Sequence, residues 1–534
     1  MNRREFIRRA IPVTTLPFVL NGFPLRAYGR SLLLDAITKA AVTTDRVLVL
    51  VQLGGGNDGI NTVIARDQYH AYMNARQNIA LPESSILPLT YETGLHPAMT
   101  GMRSLYEDGK LAIVQGVTYP NPDLSHFRAT DIWLTAADYN ETLSDGWLGR
   151  YLQQEFPGYP VGYPNEVTPD PLAIQIGADV SLALKSSSGP MAISLYDPDS
   201  FYQLIQNGNT GGVAQSPKTP AGHELSFIQE IAVQSQDYAA QVKTAADKIS
   251  SATRSAMYLG AGKNYLADQL KIVATLIAGG LKTRLYIVNL YGFDTHSSQV
   301  DGGDSKSGEH AALLEKLSTA ISAFQDDLNI LGIGDRVLGM TFSEFGRRVH
   351  SNSSLGTDHG TAAPMFLFGN GVKAGIIGAN PDLTDLVDGN LKMQFDFRSV
   401  YTSVLQQWFA TGTAELNATL LQTFPAIPIV RKSYHIDENG NRLYPSTCRL
   451  YNNYPNPFNP STTIAYDLPD DGNVLLEVFD ITGRKITTLV NGFQPAGSYK
   501  VTFTASKRFA SGVYICQLRW GETIAIRNKM LLLK

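Results

Sequence analysis

Five short runs of this 534-residue chain hold residue types that bind metal ions or activate an ester. They are Asn57-Asp58, Ser125-His126-Phe127-Arg128, Asp294-Thr295-His296, Ser343-Glu344 and Asp358-His359. Carboxylates with neutral imidazoles suit Zn, Mn, Mg or Ca rather than copper or iron–sulfur chemistry. Cysteine occurs only at Cys448 and Cys516, so thiolates cannot build a centre in the main body. One or two divalent ions on Asp58, Asp294, His296, Glu344 and His359 could polarise a phosphoryl or sulfuryl oxygen, and lower the pKa of a hydroxyl or water. Ser125 is then the candidate nucleophile, with His126 as the alternative functional member. Arg128, in the same run, could grip the non-reacting oxygens of a tetrahedral anion in a bidentate fork.

Each run also has an ordinary structural reading. Asn57-Asp58-Gly59 is as good a tight turn as a ligand loop, and Asp294 could close an Asx turn beside a surface imidazole. Ser125 could cap a helix beginning near His126, and Glu344 could pair with Arg347 or Arg348. His70, His96, His223, His350 and His435 lack comparable company and read as ordinary. The combination is more specific than any part.

What must position these runs are the segments beside them. Continuous apolar stretches at 47–53, 111–117, 285–290 and 337–341 each lead into one of the first four runs, and another at 365–368 follows the fifth. Unbroken apolarity, rather than alternation, indicates strands covered on both faces. The expected fold class is therefore α/β, a mostly parallel sheet sandwiched by helices. Residues 310–331 and 227–277 have helical spacing and supply covering helices. In such sheets ligands bind outside the carboxyl ends of the strands, where the loops converge.

The ends of the chain differ from this body. Formal charge is only −4, with no long basic run past the N-terminus, so a nucleic-acid partner is not expected. Asn2-Arg3-Arg4-Glu5-Phe6-Ile7-Arg8-Arg9, followed by an uncharged stretch at 10–25, resembles a twin-arginine export signal spanning 1–29. A basic tail is the plainer alternative. The stretch is too short and too rich in proline to span a membrane, so no transmembrane segment is expected in the mature protein. At the other end, residues 431–448 read as a polar linker and 449–534 as a small antiparallel β-sandwich, with strands about every ten residues between turn signals that include Asn491-Gly492.

The C-terminal motifs Tyr454-Pro455-Asn456-Pro457-Phe458-Asn459-Pro460, Val478-Phe479-Asp480, Gly483-Arg484, Ala496-Gly497, Ser511-Gly512-Val513-Tyr514 and Lys529-Met530-Leu531-Leu532-Leu533-Lys534 resemble the type A sorting domain of the type IX secretion system. The resemblance implies an envelope of the Bacteroidetes group or a relative of it. It also implies two export partners, the twin-arginine translocase and the type IX machinery, and passage through the periplasm to the cell surface or medium.

In the body, Leu53-Gly54-Gly55-Gly56-Asn57-Asp58-Gly59-Ile60-Asn61, Gln115-Gly116-Val117, Gly146-Trp147-Leu148-Gly149-Arg150, Gly292-Phe293-Asp294-Thr295-His296, Ser343-Glu344-Phe345-Gly346-Arg347-Arg348 and Asp358-His359-Gly360-Thr361 resemble the domain-of-unknown-function 1501 family. That family is grouped with the alkaline phosphatase and sulfatase superfamily. The resemblance implies an alkaline-phosphatase-like α/β domain over 46–430 and an exported, metal-dependent hydrolase of phosphate or sulfate esters. It places Asp58 on one metal, Asp294, His296 and His359 on the other, Ser125 as nucleophile, and Glu344 where the superfamily has the Asp of an Asp-His pair. Phe345 stands where that pair's imidazole would be, and His296 follows Asp294 by two positions rather than four. These departures leave one ion or an altered pair open, and with them the alternative of a non-catalytic surface protein that keeps the fold and an anion pocket.

Overall fold

The computed structural model describes residues 18–20, 23–25, 45–207, 237–436, 441–506, 508–521 and 524–534. Apart from a short antiparallel pair, Phe18–Leu20 with Phe23–Leu25, the expected export signal lies outside these residues, as does the first part of the helical stretch expected at 227–277.

The central strand is β1, Val47–Gly54, and its alternation explains the layers. Val47, Val49, Val51 and Leu53 point into one core, against Leu270 and Val273 of the helix Tyr265–Ala278 and Leu317, Ile321 and Phe324 of the helix Glu309–Ile330. Leu48 and Leu50 point the other way, among Trp133, Trp147 and Tyr401, whose last two rings stack at 4.1 Å. Both faces are therefore covered by helices, and the uninterrupted apolar run is the signature of that double burial. The other strands of the sheet are β2 (Leu111–Thr118), β3 (Ala173–Ile176), β4 (Ile193–Leu195), β5 (Leu285–Tyr291), β6 (Val337–Phe342), β7 (Ala363–Phe368), β8 (Gly375–Ile377) and β9 (Phe395–Asp396).

Among the described residues the nine strands run in the order β4-β3-β5-β1-β6-β7-β2-β8, with β9 also on β2. Within this order β7 alone is antiparallel to its neighbours. The expected mixed α/β class with a mostly parallel sheet is what the chain forms. The reversal of β7 matters for the site. β5, β1, β6 and β2 end at one edge of the sheet, and β7 starts there, so the loop before Ala363 joins the loops that follow the other four.

Beyond Arg449 the chain forms a sandwich with its own core around Phe458, Tyr466, Leu476, Val478 and Leu518. One sheet holds β10 (Arg449–Leu450), β11 (Ser461–Leu468) and β14 (Gly497–Thr504); the other holds β12 (Gly472–Asp480), β13 (Lys485–Gln494), β15 (Gly512–Trp520) and β16 (Ile524–Leu532). Asn491-Gly492 is not a turn, as its residues suggest, but lies inside β13, where Asn491 pairs with Leu475 and Gly492 with Val474. β13 is an edge strand with no fully buried residue, so no apolar alternation marks it. The polar stretch at 431–448 also starts as packed chain: Arg431 donates to Val372 O at 2.9 Å and Tyr434 Oη to Asp335 at 2.8 Å. Among the described residues no helix is long and apolar enough to cross a membrane.

Candidate metal centre

Loops from the five adjacent strands β5, β1, β6, β7 and β2 meet at the sheet edge. Directly after β1, Gly55 has φ +120°, and a Cβ there would stand 2.3 Å from Asp294 N. Only glycine lets this loop pass so close to the one following β5. Arg347, on the loop after β6, ties the two together. Its guanidinium is fully buried and donates to Gly55 O, to Gly56 O at 2.7 Å, Phe293 O at 3.1 Å, Thr357 O at 2.9 Å and Asp294 Oδ1 at 2.7 Å. Burial raises the Asp294 pKa, but the hydrogen bond and charge of Arg347, helped by His296 and His126, outweigh it and hold the carboxyl down to about 2.

Two imidazoles face this carboxylate. His126, the first residue of the helix His126–Thr135, has Nε2 3.4 Å from Asp294 Oδ1; His359 has Nε2 at 3.5 Å from the same oxygen. The rings meet edge to face at 4.4 Å, and Phe345 packs against both. Each ring is fixed by its other nitrogen. His126 Nδ1 lies 2.8 Å from Glu344 Oε1, and His359 Nδ1 lies 2.7 Å from Leu124 O. A carbonyl can only accept, so the His359 proton sits on Nδ1 and Nε2 presents its lone pair; bonding to the Glu344 carboxylate assigns His126 the same tautomer. Both Nε2 atoms are buried and, among the described residues, make no hydrogen bond. His126, Asp294 and His359 thus offer ligand atoms all within 4.8 Å of one another. Burial also lowers the His359 pKa, against the pull of its Leu124 bond and reinforced by the charge of Arg347.

The remaining expected site residues are placed differently. Asp58 is fully buried and does not join this group: Oδ2 takes bonds from Arg76 and, at 2.6 Å, from Gln299, while Oδ1 caps Ile60 N at 3.3 Å. Burial raises its pKa, and the adjacent Arg76 more than reverses that. Glu344 is an acceptor for Gly55 N at 2.8 Å and for Ser343 Oγ at 3.3 Å as well as for His126, so it positions an imidazole rather than facing the group itself. The alternative reading, in which Glu344 pairs with Arg347 or Arg348, is not what forms among the described residues; Arg347 takes Asp294 instead. His296 Nδ1 lies 2.7 Å from Asp294 Oδ1 and stays beside the cluster. Ser125 is exposed and precedes the helix without a side-chain capping bond. The Arg128 Nη2 group donates to the carbonyls of Asp138, Tyr139 and Glu141.

Sequence reasoning did not anticipate the joining role of Arg347, or Arg76 as the partner of Asp58. Arg76 lies eighteen positions past Asp58, on a segment with no periodic link to the loop. An open cleft of ≈ 480 Å³ adjoins the group, lined by Gln52, Gly54, Gly55, His126, Phe127, Thr130, Asp131, Tyr291, Asp294 and Glu344.

Residues 115–412 match the family model described as protein of unknown function (DUF1501), and the chain belongs to that family. Residues 452–532 match the secretion system C-terminal sorting domain. That domain implies type IX secretion and export to the cell surface or extracellular space. No curated protein sequence matches the chain. Solved structures similar to it include a protein of the alkaline phosphatase superfamily from Vibrio parahaemolyticus, at 8% identity and TM-score 0.33, covering 84% of each chain. Another is the PsFucS1 sulfatase from Pseudoalteromonas sp., at 10% identity and TM-score 0.30, covering 88% of this chain and 86% of that one. The alkaline phosphatase of the Antarctic bacterium TAB5 matches at 11% identity and TM-score 0.26, over 63% of this chain and 95% of that one.

Proposed function

We propose that the protein is an exported hydrolase of phosphate or sulfate esters that works with one divalent ion on His126, Asp294 and His359. The observation that carries this reading is the pair of buried Nε2 atoms without hydrogen-bond partners, both turned to one carboxylate. Unpartnered buried nitrogens are costly unless something binds them, and the opposite nitrogen of each ring is anchored in the way metal-ligating histidines are. Two imidazoles and one carboxylate suit Zn or Mn, whereas Mg and Ca favour oxygen ligands. Three protein ligands beside an open cleft is the pattern of a catalytic rather than a structural site.

A bound divalent ion supplies Lewis acidity toward an ester oxygen and offsets the carboxylates of the cleft. The chain's own residues do the rest. Glu344 holds the His126 ring and its tautomer; the Leu124 carbonyl does the same for His359. Arg347 keeps Asp294 ionised and aimed. Ser125 does not line the cleft, so this reading assigns the attack to water, with Ser125→Ala retaining turnover. The ester class itself rests on the family resemblance set out above.

The test is turnover of aryl phosphates and aryl sulfates by the full chain after supplementation with Zn or Mn. His126→Ala and Asp294→Ala should each remove bound metal and activity together. Bound metal without turnover of any ester would leave the second reading, a non-catalytic surface protein. That reading has one feature in its favour: among the described residues no Lys or Arg lines the cleft to receive an anion.

A further inference from the structure

The cleft beside the metal group combines surfaces that an anion-only site does not need. Phe127 is 88% exposed and Tyr291 is 63% exposed, and both line it. Phe127 directly follows His126, so its ring stands at the mouth one residue from a proposed ligand. Tyr291 ends β5, and its ring lies over Gly54: a Cβ on Gly54 would be 2.4 Å from the ring's Cδ1. The glycine is what lets an aromatic ring lie against the strand tip while staying open to the cleft. Around these rings the lining is amide, hydroxyl and carboxylate, from Gln52, Thr130 and Asp131.

Aromatic faces beside neutral and acidic hydrogen-bonding groups, without a cationic side chain, match a ligand with apolar C–H faces and many hydroxyls. We infer that this cleft is a saccharide subsite, with Phe127 and Tyr291 packing on the faces of sugar rings and Gln52, Thr130 and Asp131 bonding their hydroxyls. Sugar hydroxyls donate to carboxylates and exchange bonds with amides and hydroxyls. Exposed apolar rings at a cleft are the mark of a binding surface, since a Phe left in water gives up its burial. A nucleic acid fits less well, because it brings a phosphate with every base, and among the described residues the lining offers no lysine or arginine to those lying away from the metal group. Joined to the proposed hydrolase, which this extension rests on, the substrate class becomes a sulfated or phosphorylated saccharide.

Calorimetric titration of the full chain with hexose oligosaccharides, plain and sulfated, tests the inference with and without added Zn. Binding is expected to both sets, weakened at least tenfold by Phe127→Ala and by Tyr291→Ala at unchanged thermal stability. In the parent protein, added Zn should tighten the sulfated set and leave the plain set unchanged. Absence of saccharide binding, binding unaltered in both aromatic variants, or preferential binding of adenosine or an oligonucleotide overturns the subsite. Turnover of simple aryl esters together with any of these leaves the hydrolase standing alone. Saccharide binding that depends on both rings, with no metal and no turnover, keeps the subsite and removes the hydrolase.

Discussion

Asp58 and Asp294 look alike in the sequence, since each is a carboxylate a few residues past the end of an apolar strand. The fold uses them differently. The Asp58 side chain is 0% exposed and paired with an equally buried Arg76, whereas that of Asp294 is 49% exposed and faces two imidazoles. Removing one partner of a fully buried pair leaves an uncompensated charge, so Asp58→Ala should cost about 3–5 kcal/mol of stability. Urea denaturation measures this, and a variant as stable as the parent would show that the pair carries no such load. Glu344 makes a different prediction. Glu344→Gln keeps a hydrogen-bond acceptor for Gly55 N but loses the charge that orients His126. Zn affinity should fall roughly 10- to 100-fold with little change in fold, as for other groups that orient a ligand; titration with a competing chelator reads it. Asp294, His126 and His359 could be picked from sequence because each stands beside a strand-forming run. The roles of Asp58 and Glu344 could not, because their partners are set by tertiary contacts.

At the scale of elements, burial on both faces was legible wherever the apolar run was unbroken, as in β1 and β5. The short strands β3 and β4, with only Ala173–Ile176 and Ile193–Leu195 to mark them, were not. The direction of β7 was also hidden, since periodicity carries no sense of parallel or antiparallel. The helix Glu309–Ile330 supplies a pH prediction. His310, in its first turn, is buried with Nε2 3.1 Å from Asn57 Oδ1. Burial, opposed by Asp58 and aided by Arg76 and Arg347, pushes its pKa down to about 4. The unfolded chain takes up this proton near the ordinary value of about 6.5, while the folded chain holds out to lower pH. Stability is therefore complete above about pH 6.5 and falls as the pH drops toward 4, by roughly 3 kcal/mol in all. Thermal melts across this range should show a shallower acid loss for His310→Gln than for the parent, and identical slopes would contradict the assignment.

Across the whole molecule, the α/β body and the C-terminal sandwich have separate cores, joined through polar contacts such as Lys432 Nζ to Asp471 at 3.0 Å. Partly exposed pairs of this kind contribute about 0–1 kcal/mol. Deleting 449–534 should therefore leave the melting temperature of the body nearly unchanged while keeping the protein from the cell surface and medium, as fractionation would show. A deleted form that still reaches the medium would mean that other features direct export. The sandwich was readable from its motifs, apart from the edge strand β13. The metal group depends on loops from five strands, and only the assembled sheet shows which side chains meet. The most direct measurement is the metal content of purified full-length protein by elemental analysis, after Zn or Mn supplementation and desalting. The site predicts about one divalent ion per chain, lost in both His126→Ala and Asp294→Ala; a parent protein without metal, or variants that keep it, would contradict the metal centre at His126, Asp294 and His359.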